Sequence, residues 1–83
     1  MDDVKIGTYK HYKGTIYEVV GFALDTESQE KLVLYHGKEN YPELTSEYGN
    51  KPLFARPYRM FIEKVTVGTT QVPRFEFIKN NNE

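Results

Sequence analysis

The 83-residue chain has no cysteine and no tryptophan, only two histidines and three arginines, and no long apolar run. Without cysteine there can be no disulfide, no thiolate metal site and no thiol nucleophile. A secreted domain this small would often need such staples, so a reducing cytoplasm is the expected setting. No segment approaches the roughly 20 apolar residues that cross a bilayer, so no membrane partner is expected. The opening Met1-Asp2-Asp3-Val4-Lys5-Ile6 is acidic and leads into no apolar run, unlike a signal peptide. The six glycines are spread singly, which leaves no phosphate-cradling loop. His11 and His36 stand alone, without the His-x-His or His-Glu-x-x-His spacing that preorganises a metal. No cofactor is expected. Net charge is −1, so the molecule as a whole has no general pull on nucleic acid.

What the chain does have is rings: seven Tyr and five Phe. At this length the core is thin, and each ring buries a large area for few side-chain torsions. The charges are uneven. Residues 25–47 carry six acids (Asp25, Glu27, Glu30, Glu39, Glu43 and Glu47) against Lys31 and Lys38, while 5–13 carry Lys5, Lys10 and Lys13 with no acid. Ordinary solvated surface accounts for this pattern, and so does a basic face beside an acidic loop.

Short runs rich in β-formers dominate. Thr8 to Lys13 and Ile16 to Ala23, split around Gly14, read as a hairpin. The second run is apolar on both faces, and Gly21 within it marks a bulge or bend. Lys31 to His36 is a third strand, 37–52 a long loop with a helical turn around Glu43 to Tyr48, and Leu53 to Arg56 a fourth strand stopped by Pro57. Tyr58 to Phe61 fits one 3₁₀ turn. Ile62 to Val67 and Val72 to Ile78 follow as strands, the last an edge strand because of Pro73. The expected fold is mostly β: one domain over 1–79, a small SH3-like antiparallel barrel of five or six strands, with 80–83 a frayed polar tail. Its core is expected to hold Ile16, Val20, Phe22, Leu34, Val65, Phe75 and Phe77.

Two of the three arginines adjoin a proline, in Arg56-Pro57 and Pro73-Arg74. A guanidinium fork binds carboxylate or phosphate through two hydrogen bonds and stacks on rings. Beside Tyr9, Tyr12, Tyr17, Tyr35 and Tyr58 these arginines would make an anion- or peptide-binding rim. Equally, each arginine could pair with an acid such as Glu18 or Glu76 and pin a strand end.

The segments Gly7-Thr-Tyr-Lys-His-Tyr-Lys-Gly14 and Tyr17-Glu-Val-Val-Gly-Phe-Ala23 open a pattern that continues through Leu32-Val-Leu-Tyr35, Tyr48-Gly49, Arg56-Pro57, Met60-Phe61, Glu63 with Val65, and Val72-Pro-Arg-Phe75. In that order, over about residues 7–78, it resembles the bacterial domain-of-unknown-function family 1653. Phe54 stands where that family usually has Trp, and 37–47 looks like an insertion. The resemblance implies a stand-alone bacterial cytoplasmic protein and supplies no mechanism. The polar residues most like the family are His11, Lys13, Glu18, Glu27, Arg56 and Arg74. With Tyr9 and Tyr35 they make the candidate site.

Three functions fit. The first is a non-catalytic binding or adaptor module holding a peptide or small anionic ligand on a Tyr/Arg face, with a homodimer left open. The second is a small enzyme using His11 with Glu18 or Glu27. The third is weak nucleic-acid binding through Lys10, Lys13, Arg56 and Arg59.

Overall fold

The computed structural model describes residues 4–37, 47, 49 and 51–80. Nearly all of the turn expected around Glu43 to Tyr48, and the end of the tail, lie outside them. In chain order the described elements are β1 (Gly7–His11), β2 (Ile16–Leu24), β3 (Lys31–Gly37), β4 (Phe54–Pro57), α1 (Tyr58–Phe61), β5 (Lys64–Val67), β6 (Thr70–Pro73) and β7 (Phe75–Lys79). The chain is mostly β, with antiparallel pairing throughout.

Tight turns set the hairpins. Gly14 (φ 107°) supplies the backbone angle that reverses the chain after β1, and the His11 N–H closes the turn on the Thr15 carbonyl at 2.8 Å. Between β2 and β3 the Asp25 carboxylate accepts the backbone N–H groups of Glu27 (2.9 Å) and Ser28 (3.3 Å), an Asx arrangement. Gly68, at φ 64°, opens the two-residue turn joining β5 to β6.

The main sheet runs β4-β3-β2-β1-β7, and β5 with β6 forms a separate two-stranded ribbon. Among the described residues no ladder joins the edge strands β4 and β7, so a closed SH3-like barrel is not found. Two local causes are visible. β4 is only four residues long and ends at Pro57, and β5 pairs with β6 rather than with β4. The expected last strand also breaks in two at Arg74. There the N–H donates to the Glu63 carbonyl (3.0 Å), while the carbonyl accepts from the Tyr12 N–H (2.9 Å). One half of the run therefore belongs to the ribbon and the other to the sheet. The last strand, β7, returns to pair with the first, β1.

One face of the sheet carries the core. Directly opposed residues share a face, and the pairs Tyr9↔Tyr17, Val19↔Tyr35, Tyr35↔Phe54, Val33↔Arg56 and His11↔Phe75 define it. Phe61 caps this face from α1. Its ring is 2% exposed, lies flat on Phe75 at 4.1 Å and meets Tyr9 and Tyr35 edge-on. The buried set is Tyr9, Val19, Val33, Tyr35, Phe61 and Phe75. Of the expected core residues only Phe75 is in it. Val20 (41% exposed) faces outward instead, since the pairing register shifts between Val19 and Gly21, while Phe22 (38%), opposite Val33, lies on the core face but at its open rim, under the Lys31 ammonium. The bulge expected at Gly21 is therefore present, but it leaves Val20 as the extra residue and turns Val19 inward. α1 is a turn of α-helix rather than 3₁₀, with the Ile62 N–H bonded to the Tyr58 carbonyl four residues back at 3.1 Å. No helix among the described residues is long and apolar enough to cross a membrane.

Candidate functional site

At the end of β1, His11 leaves the core face and meets solvent. Its ring lies 4.6 Å from that of Tyr12 and sits edge-on to Phe75 (5.0 Å) and Tyr17 (6.3 Å). The Lys13 backbone N–H donates to Nδ1 at 3.2 Å, so the neutral ring carries its proton on Nε2 and presents a donor. Partial burial lowers the His11 pKa, and the positive charges of Arg56, Arg74 and Lys13 lower it further. Three cations from three different segments thus act on one imidazole.

Each arginine is held by its body and its neighbours. On β4, Arg56 lies opposite Val33 and beneath the rings: its Nε donates to the Tyr35 hydroxyl at 3.2 Å, and its guanidinium carbon is 5.6 Å from the centre of Phe75. Among the described residues no carboxylate pairs with it. Arg74, at the break between β6 and β7, gives its Nη2 to Glu63 at 2.9 Å. Its Nε is buried and has no hydrogen-bond partner among the described residues. An unpaired buried N–H is costly, and an acceptor brought to it would remove that cost.

Not every expected site residue joins this cluster. Tyr9 is core, only 5% exposed, with its hydroxyl closing a loop on the Lys5 backbone. Burial raises its pKa. Tyr35 is also core, but its hydroxyl positions Arg56. Lys13 stands beside the site with its ammonium over Tyr12 at 5.8 Å. Glu18 is opposed to Thr8 and His36, on the sheet face away from His11. Glu27 lies in the turn beyond Leu24, the far end of a nine-residue strand whose near end adjoins His11. At about 3.3 Å per residue that strand holds the two more than 20 Å apart. The structure thus denies His11 both carboxylates that an acid–base reading requires. Arg59 pairs with Glu30 at 3.4 Å, away from the site.

Two contributors, Glu63 and Phe75, escape a reading of the sequence. Glu63 is the partner of Arg74, rather than Glu18 or Glu76, because the chain brings the start of β5 beside the end of β6. Tyr12 and Phe75 form walls of the site as well as packing. Next to His11 a groove of about 360 Å³ continues between β1 and the ribbon, lined by Lys10, His11, Tyr12, Val67, Val72, Pro73 and Glu76. Among the described residues no three His, Asp or Glu side chains are grouped to hold a metal ion.

Comparison with known proteins places this geometry in a family. The crystal structure of a DUF1653 protein from Bordetella bronchiseptica is similar over 94% of this chain and 91% of its own, with 29% identity and a TM-score of 0.76. No curated protein matches. The family model described as "Protein of unknown function (DUF1653)" matches residues 7–77, and those residues include β1, both arginines and the whole cluster around His11. The chain belongs to the DUF1653 family.

Proposed function

We propose that this domain is a non-catalytic binding module whose site at His11, Arg56 and Arg74 takes a small anion or the carboxylate of a peptide. The observation that carries the reading is chemical uniformity. The imidazole Nε2–H, the two guanidinium groups and the Lys13 ammonium are all donors, and the charges of Arg56, Arg74 and Lys13 all act on the His11 ring, while Glu63 takes up one donor of Arg74. A site made of donors fits a ligand made of acceptors. The rings of Tyr35 and Phe75 hold Arg56 in place, so less side-chain entropy is lost on binding. One charge-assisted contact contributes about 1.5–3 kcal/mol, which makes binding of a simple anion millimolar. A cytoplasmic setting accords with a cysteine-free domain.

Nitrogen-15 NMR titration with sulfate tests the reading. Signals of His11, Arg56 and Arg74 should move together, with the effect weakened by sodium chloride. Arg56→Gln should weaken the response while leaving the rest of the spectrum in place. No coordinated shift at about 50 mM sulfate, or an unchanged response in Arg56→Gln, would contradict it.

A further inference from the structure

The groove of about 360 Å³ has Lys10, Tyr12 and Glu76 on the side of β1 and β7, and Val67, Val72 and Pro73 on the side of the ribbon. Lys10 and Glu76 are directly opposed, on the sheet face away from His11, Phe75 and Arg56, and neither Arg56 nor Arg74 lines the groove. It is therefore a separate place from the cluster of donors. On the ribbon, Val72 opposes Val65, two residues from Val67, so Val67 and Val72 share one face. Val67 is half exposed. Two strands by themselves are only marginally stable in water, so an apolar occupant against these valines would steady the ribbon. Among the described residues neither Lys10 nor Glu76 has an ion-pair partner. An unpaired cation and an unpaired anion thus stand side by side, at roughly the 5 Å spacing of opposed residues, next to an apolar wall. That combination selects its ligand. A simple anion would use only Lys10, and a simple amine only Glu76. A peptide carries its terminal ammonium and its terminal carboxylate on different residues. A free amino acid holds both on one carbon, and an apolar side chain on that carbon would cover the valines. The volume is at the small end of ligand pockets and suits a molecule of that size.

We propose that this groove is a binding site for a free amino acid with an apolar side chain of about the size of leucine. Its carboxylate meets the Lys10 ammonium, its ammonium meets the Glu76 carboxylate, and its side chain lies against Tyr12, Val67 and Val72. This site is independent of the anion site at His11.

Four probes titrated into the whole chain at constant salt separate the contributions: leucine, glycine, leucinamide and N-acetylleucine. In NMR spectra leucine should move the methyl signals of Val67 and Val72 and the Glu76 amide together, saturating with a Kd of roughly 1–10 mM. Glycine lacks the side chain, leucinamide the carboxylate and N-acetylleucine the ammonium, so each should bind about tenfold more weakly or worse. Lys10→Gln and Glu76→Gln, both at exposed positions, should each weaken leucine about tenfold and leave the sulfate response at Arg56 in place. No saturable shift with leucine, as expected if Lys10 and Glu76 only screen each other, would overturn the proposal. So would leucinamide or N-acetylleucine binding as tightly as leucine, or leucine binding unchanged in both variants. In each of these cases a normal sulfate response keeps the anion site standing, whereas loss of the sulfate response with leucine binding intact would remove the anion site alone.

Discussion

At the scale of single residues, His11 reports on its neighbourhood through its proton. Its folded pKa lies below the ordinary imidazole value, so between the two values the unfolded chain holds a proton that the folded chain refuses. Stability therefore falls as pH drops from about 7 through the folded pKa, and this loss is complete below it. His11→Gln should flatten that part of the stability profile, measured by urea unfolding at several pH values. An unchanged slope would mean that the three cations do not act on His11. Phe61 is the residue on which most of the core rests. Phe61→Ala should cost about 3–5 kcal/mol, whereas Val20→Ala, on the outward face, should cost about 1 kcal/mol or less. Equal losses would show that the face assignment is wrong.

At the scale of elements, the contact between β1 and β7 leaves no room for a side chain at Gly7. A Cβ there would collide with the Lys79 carbonyl and press on the Phe77 ring. Gly7→Ala should destabilise the domain by roughly 1–3 kcal/mol and loosen β7 first, as seen by faster amide exchange from Phe77 to Lys79. Exchange unchanged there would show that the two strands can part without penalty. In the β2–β3 turn, backbone N–H groups of Glu27 and Ser28 hold the Asp25 carboxyl below its usual pKa. Its contribution is present above the unfolded value and is lost as pH falls through the folded one. Amide signals of 26–30 should accordingly broaden or shift in acid, and Asp25→Ala should show the same change already at neutral pH. A turn indifferent to both would mean that Gln29, at φ 62°, holds it by other means.

These elements also show which parts of the fold were readable beforehand. The hairpin signalled by Gly14 was legible because a turn is decided by adjacent residues. The face of β2 was not, since Tyr17 and Val19 compete with Ile16, Val20 and Phe22, and period-two alternation cannot choose between two apolar faces. The choice is made by Phe61, a distant residue that covers one side only. Arg56 and Arg74 were legible as candidates because each guanidinium adjoins a proline at the end of a strand. Glu63 was not, because its approach to Arg74 depends on the ribbon that β5 and β6 form away from the main sheet. Glu18 and Glu27 share the family pattern with His11, yet strand parity and strand length put both out of its reach.

At the scale of the whole molecule, an open sheet with one capped face brings the charges of Lys13 from the β1–β2 turn, Arg56 from β4 and Arg74 from the β6–β7 break to bear on His11. A field of three cations should attract an anion, and His11 is the built-in probe of that field. The most direct measurement is the His11 pKa by NMR, with and without sulfate, an anion whose charge stays constant over the titration. Without sulfate the pKa should lie below the ordinary value. Saturating sulfate should raise it by neutralising the field of Arg56, Arg74 and Lys13, and in Arg56→Gln it should start higher and rise less. A His11 pKa that does not move with sulfate, while the protein remains folded, would contradict the claim.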